Sequence, residues 1–291
     1  MRHPVSPSEL LFPVEHTMKF SPSGLGSLSL ALGVAVSGLA ACDQETRSNV
    51  EAPGAPASAT IKVLEAGAAA LQNKPPIEAI NVYLDGFHFY NGKPHVQMEA
   101  HHYCAILNDE VIQCVIYDGN VKDAKIMGVE YIVSEALFRG LPDAEKALWH
   151  SHVHEVKSGQ LVAPGIPAVA EKELMKRLVG TYGKTWHTWH TDVDKALPLG
   201  VPQLMMGFTA DGQADPAMVA ARDQRFGIDS AQKKKEREDI VAPAVDAGAD
   251  GGQHGKTYQI ADPTGRQHVH EAAASAKPAA PPAENARSNK D

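Results

Sequence analysis

QMEAHHYCAILNDEVIQCVIY, residues 97–117, is the stretch on which the fold turns. Two β-rich runs, Gln97–Leu107 and Val111–Tyr117, flank the polar triplet Asn108-Asp109-Glu110. Such a pattern predicts an antiparallel hairpin with a three-residue loop. Leu107 then pairs with Val111, and Cys104 falls directly opposite Cys114. A two-residue loop would slip the register by one and put the cysteines on opposite faces. Two outcomes stay open for the pair: a cross-strand disulfide, which an oxidising compartment permits, or two buried thiols.

Working outward, more strand signals appear. Asn81–Tyr90 reads as strand, a Gly-centred bend at Gly86, then strand. Lys125–Ser134, Trp149–Val156 and Thr185–Asp192 read as further strands. Helices are predicted for Ala59–Gln72, stopped by Asn73 and Pro75-Pro76, for Asp143–Leu148 after Pro142, and for Val169–Val179, closed by Gly180. Strands dominate and helices are few. The expected fold class is therefore α+β: a single domain, an antiparallel or mixed sheet with a few helices.

The 291 residues carry a net charge of −8, which argues against nucleic-acid binding, since that needs a basic surface. Hydrophobic residues at 43% and charged residues at 21% are enough for a sizeable core. Three cysteines are too few for a disulfide scaffold. The run Leu25–Leu39 is apolar and uncharged but shorter than a membrane span, and has the length of a signal-peptide core. It leads into Leu39-Ala40-Ala41-Cys42, which resembles the bacterial lipobox. That resemblance implies cleavage before Cys42 and lipidation of its thiol and amine. Residues 1–41 are then a lipoprotein signal peptide, with Met18-Lys19 as the conventional start. Residues 42–58 would be a flexible tether, 59–230 the globular domain, and 231–291 a charged, low-complexity, disordered tail. The setting implied is the bacterial cell envelope, lipid-anchored and facing the periplasm. Asp43 leaves inner and outer membrane both open.

Most of the 14 histidines lie in four segments beside aromatic residues: around His88, at His101-His102, at His150-Ser151-His152-Val153-His154, and at His187 and His190. On a strand, His150, His152 and His154 would share one face, and His102 would share a face with Cys104. Glu130 stands inside the apolar strand GVEYIV, where a carboxylate needs a cation, a metal or hydrogen bonds. His102, Glu130, His150 and His152 are therefore the candidate ligands of a divalent transition metal such as zinc, with His101 close behind. The competing reading makes these histidines core residues bonded to backbone carbonyls. No His-Glu-x-x-His motif, nucleophile elbow, Walker loop or dinucleotide fingerprint is present.

At LDGFHFY (84–90), EAHHYC (99–104), GVEYIVS (128–134), LWHSH (148–152), EVKSG (155–159) and LPLGVP (197–202) the chain resembles the oil-body-associated protein family of plants. The resemblance spans about residues 60–230. It implies a lipid-associated setting rather than a reaction. The plant pattern has Tyr near His154 and lacks the paired histidines at His187 and His190. A shared site would therefore use His101, His102, Glu130, His150 and His152. Two functions follow: a non-enzymatic envelope lipoprotein that contacts lipid or a partner protein, which is favoured, or a metal-dependent enzyme acting on a small or lipid substrate. Convergence of the four candidate side chains separates them.

Overall fold

The structure, a computed structural model, describes residues 44–264. The expected signal peptide, Cys42 and residues 265–291 lie outside the described residues. The chain opens with α1 (Ala59–Leu71), whose N-terminus is capped by the Ser58 hydroxyl accepting from the Ile61 N–H, and with α2 (Pro75–Glu78). Strands β1 (Val82–Tyr90), β2 (Lys93–Ile106), β3 (Val111–Tyr117) and β4 (Ile126–Val133) follow. Then come α3 (Glu135–Arg139), α4 (Asp143–Lys146), β5 (His150–Ser151), α5 (Val153–Lys157) and α6 (Ala168–Leu178). The last elements are β6 (Tyr182–His187), β7 (Gln203–Met206), α7 (Pro216–Phe226), α8 (Ser230–Glu236) and a 3-10 turn at Gly251–His254. Among the described residues no helix is long and apolar enough to cross a membrane.

The sheet is wholly antiparallel and closes on itself. Its order is β4-β3-β2-β1-β7-β6, and β6 pairs back to β4 from Gly128↔His187 to Val133↔Tyr182. The α+β expectation holds, but the sheet is more specific than an open one: a closed six-stranded barrel, with β5 added beside β6. Closure removes the sheet edges and creates an interior that side chains must fill. The β2–β3 hairpin has the expected register, with Ile106↔Ile112 and Cys104↔Cys114, and the two cysteines are joined as a disulfide. One end of the interior is filled by Leu84, Cys104, Cys114 and Ile132, packed under Val156 of α5, Met175 and Leu178 of α6, and Ile240. On the outer wall, Phe87, Phe89, Leu204 and Met206 pack against Phe208, Met218 and Val219, which brings α7 over β1 and β7.

Several expectations are corrected. β1 is unbroken: Gly86 is not a bend but a strand position where Leu161 closes in, 3.2 Å from where a Cβ would stand. The expected strand at 149–156 stops after Ser151, because the Ser151 N–H and hydroxyl both go to Asp250, at 2.8 Å each, and His152 turns into α5. The strand at 185–192 ends at His187, where the N–H groups of Thr188 and Trp189 both turn to the Met127 carbonyl.

The tether and tail boundaries also move. Residues 44–50 lie on the barrel: the Thr46 N–H donates to Asn120 Oδ1 at 2.6 Å, Ser48 to Asp118 at 2.8 Å, and Val50 is buried. Of the tail expected to be disordered, residues 231–264 pack on the domain. Arg237 is buried and donates to the carbonyls of Val156 and Leu161 at 2.8 Å and to Glu171 at 3.2 Å. Ile240 and Ala249 are buried, and the Gln259 amide both accepts from the Leu204 N–H and donates to the Leu204 carbonyl. Composition that cannot form a core alone can still dock on one already made.

Candidate metal centre

Period-2 alternation decides which side chains enter the barrel. With Leu84 inward, His88 on β1 is inward; with Cys104 inward, His102 on β2 is inward; with Ile132 inward, Glu130 on β4 is inward. These side chains are buried and surround one point. His102 Nε2 lies 2.9 Å from Glu130 Oε2, His152 Nε2 3.2 Å and His150 Nε2 3.5 Å from Oε1, and His88 Nε2 3.8 Å from Oε2. The four residues singled out from sequence therefore converge, with Glu130 at the centre.

Local structure explains the approach. His150 sits on β5 opposite Gly183 of β6, and a Cβ at Gly183 would collide with Glu130 and lie 2.8 Å from the His150 ring. Gly207 likewise leaves room for Glu155 and His150. His152 stands at the N-terminal boundary of α5, so Glu155, three residues on, lies on the same side, 3.7 Å from His152 Nε2. His154 does not join: helical geometry turns it away from its neighbours, which corrects the one-face reading of residues 150–154.

His101 is also corrected. Adjacent residues on a strand point to opposite faces, and His101 leaves on the outer wall. There Nδ1 meets Tyr83 Oη at 2.8 Å and Asp85 Oδ2 at 3.1 Å. Arg222 from α7 donates to Asp85 Oδ1 at 2.8 Å, and Arg225 pairs with Glu99. Burial would raise Asp85, but His101 and Arg222 hold it low. Burial and the Asp85 charge push Glu99 up to about 7, against the pull of His101 and Arg225.

The two clusters differ in what balances their negative charge. Asp85, Glu99 and His101 bring three potential ligand atoms within 4.8 Å of one another, but two guanidinium groups already serve them. Within the barrel, His88, Glu130 and His150, and again His150, His152 and Glu155, meet the same distance, with no Lys or Arg paired to either carboxylate among the described residues.

Tautomers sharpen the point. His102 Nδ1 lies 3.0 Å from the Ala100 carbonyl, which only accepts, so Nδ1 carries the hydrogen. His152 Nδ1 lies 2.8 Å from the Thr181 hydroxyl, whose own hydrogen goes to the Leu178 carbonyl at 2.7 Å. The hydroxyl is therefore the acceptor at Nδ1. In both neutral rings the Nε2 lone pair then faces a carboxylate oxygen. Two lone pairs so placed repel unless a proton or a cation lies between them. Metal-ligating histidines share this arrangement, one nitrogen tied outward and the other free for the ion. His150 Nδ1 has no hydrogen-bond partner, and Nε2 reaches Glu130 Oε1 at 3.5 Å.

Without a metal, protons do the balancing. Burial would raise Glu130, yet hydrogen bonds from His102, His150 and His152 hold it well below the usual carboxylate range. Burial would lower His102 and His150, but Glu130 pulls both up, His150 to about 9. Burial and the neighbouring His102 charge push His88 well down. Burial and His190 bring His187, 3.4 Å from His88, down to about 3. Burial raises Glu155. His88 and Glu155 thus join the site without having been picked out from sequence. Alternation from Leu84 marks His88, while Glu155 was hidden by the mistaken strand. The cavity bounded by these groups has a volume of about 10 Å³, near the least that holds one water. It fits an ion or a water, not a lipid.

Residues 74–241 match the family model described as "Protein of unknown function (DUF1264)". The chain is 43% identical over 218 residues to Oil body-associated protein 1A of Zea mays, covering 75% of this chain and 87% of the maize protein. It is 38% identical over 222 residues to Oil body-associated protein 1B of Arabidopsis thaliana, covering 76% and 92%. It is 41% identical over 194 residues to Oil body-associated protein 2A of Zea mays, covering 66% and 77%. No solved structure matches.

Proposed function

The chain belongs to the DUF1264 family, and from that premise we propose that it is a lipid-anchored envelope domain whose barrel holds a divalent transition-metal ion, such as zinc, at its centre. The observation that carries the metal reading is the outward tie of His102 and His152 at Nδ1 with both Nε2 atoms turned on Glu130. His150 completes a set of imidazole nitrogens and carboxylate oxygen that suits zinc, with His88 and Glu155 bordering it. Convergence of the four side chains alone would favour the enzyme reading, but the small closed cavity favours an ion that braces the barrel over a site that admits a lipid substrate. The anchor reading rests on the lipobox at Cys42, which puts the domain on the periplasmic side of the envelope, in contact with lipid or an envelope protein. The relatives' name, oil body-associated, supports a lipid setting for the domain.

Each half has its own test. Zinc titrated calorimetrically into the chelator-stripped full chain should bind at one ion per chain, and the paired change His102→Ala with His152→Ala should abolish it. Absence of saturable binding in the unchanged chain overturns the metal reading. Cys42→Ser should abolish fatty-acid labelling in a bacterial host, and unchanged labelling overturns the anchor reading.

A further inference from the structure

The barrel's outer wall is covered unevenly. Over β1 and β7 it lies under α7, but over β2, β3 and β4 it carries an apolar groove of about 470 Å³. Ile77, Ile80, Tyr103, Val115, Tyr117 and Ile126 line it. Ile77 is 63% exposed and Ile126 51%. The solvent face of an antiparallel sheet ordinarily alternates to polar residues. A contiguous apolar patch there marks a surface that takes something up.

The same groove is lined by Asn120, and Asn120 holds the start of the described chain. Its side chain donates to the Gln44 carbonyl at 2.8 Å and accepts from the Thr46 N–H at 2.6 Å, and its own N–H donates to the Thr46 carbonyl at 2.9 Å. Gly119 has no side chain where that carbonyl rests. Arg225 Nε adds a bond to the Thr46 hydroxyl at 3.1 Å. Residues 44–50 are therefore a strap fastened to the groove's rim, not a leash. Cys42 precedes Gln44 by two residues, at most about 7 Å of extended chain.

We propose that an acyl chain of the lipid on Cys42 lies in this groove, so that the barrel is held against its own anchor in one orientation. The proposal rests on the anchor reading above. It gives the strap's attachment and the bare apolar wall one cause.

The test uses the full chain made in a bacterial host fed a palmitic acid that carries a diazirine and an alkyne. After irradiation of the membranes, peptides bearing residues 77–80 and 115–126 should carry the label. Ala124→Trp, which fills the groove, and Ile126→Glu, at a half-exposed position, should each cut this cross-linking severalfold while leaving fatty-acid incorporation unchanged. Incorporation with cross-links only to membrane phospholipid overturns the groove and leaves the anchor standing. Equal groove labelling in Cys42→Ser also overturns it, because the occupant would then be a free lipid. No incorporation in the unchanged chain overturns the anchor and the groove together.

Discussion

Glu130→Gln removes one charge from the barrel centre with almost no change of shape. In the metal-free protein Glu130 is the counter-charge for His102 at 2.9 Å and His150 at 3.5 Å, and His152 Nε2 lies 3.2 Å from it, all buried. Breaking a buried ion pair by neutralising one partner costs about 3–5 kcal/mol, because the other charge stays in the interior. For a domain of this size each kcal/mol moves the melting temperature by about 2–4 °C. The variant should therefore melt about 6–20 °C lower in chelator, combining those two ranges. Added zinc should raise the melting temperature of the unchanged chain more than that of the variant, which has lost its central carboxylate. Circular dichroism melts of both chains, with chelator and with zinc, measure all four values. A variant that melts within about 2 °C of the parent in chelator, and gains as much from zinc, would refute the idea that Glu130 organises the centre.

Other outcomes follow from the same geometry. His150 rises to about 9 in the fold, against about 6.5 for an unfolded histidine. Its contribution to stability is complete below the lower value and lost as pH climbs through the upper one. Zinc should flatten or reverse that slope, because its ligands must shed protons; parallel melting curves with chelator and with zinc would contradict this. Arg222→Met should cost up to about 3–5 kcal/mol by leaving buried Asp85 without its guanidinium, with only the His101 ring beside it, read by urea unfolding, and Asp85→Asn in the same chain should recover part of the loss. A chain ending at Asp239 should melt well below one ending at Thr264, since Ile240, Asp250 and Gln259 are bonded or buried against the barrel. Equal melts would show that the packed segment adds nothing.

The hairpin at 97–117 was legible because its turn and its alternation agree on one register, and that register faced Cys104 to Cys114 and turned His102 inward. Glu130 was legible as a charge in an apolar strand. The same alternation, applied one residue further, separates His101 from His102, and from Leu84 it turns His88 inward. Barrel closure was not legible. It depends on β4 meeting β6 some fifty residues later, a pairing no local pattern encodes. The turn at His152 was hidden because its cause, Asp250, lies about a hundred residues away in a segment whose composition reads as disordered. The strap at 44–50 was missed for a similar reason: its partners are backbone and side-chain groups at 118–120.

On the proposal above, the buried His/Glu cluster is an ion's coordination sphere rather than a proton-sharing network. Metal analysis of the full chain, purified without chelator or affinity metal, tests it most directly, with the His102→Ala, His152→Ala double variant alongside. The folded parent should carry close to one equivalent of a single divalent transition metal, and the variant almost none. A folded parent that carries no stoichiometric metal, or a variant that keeps it, would mean that the cluster shares protons instead.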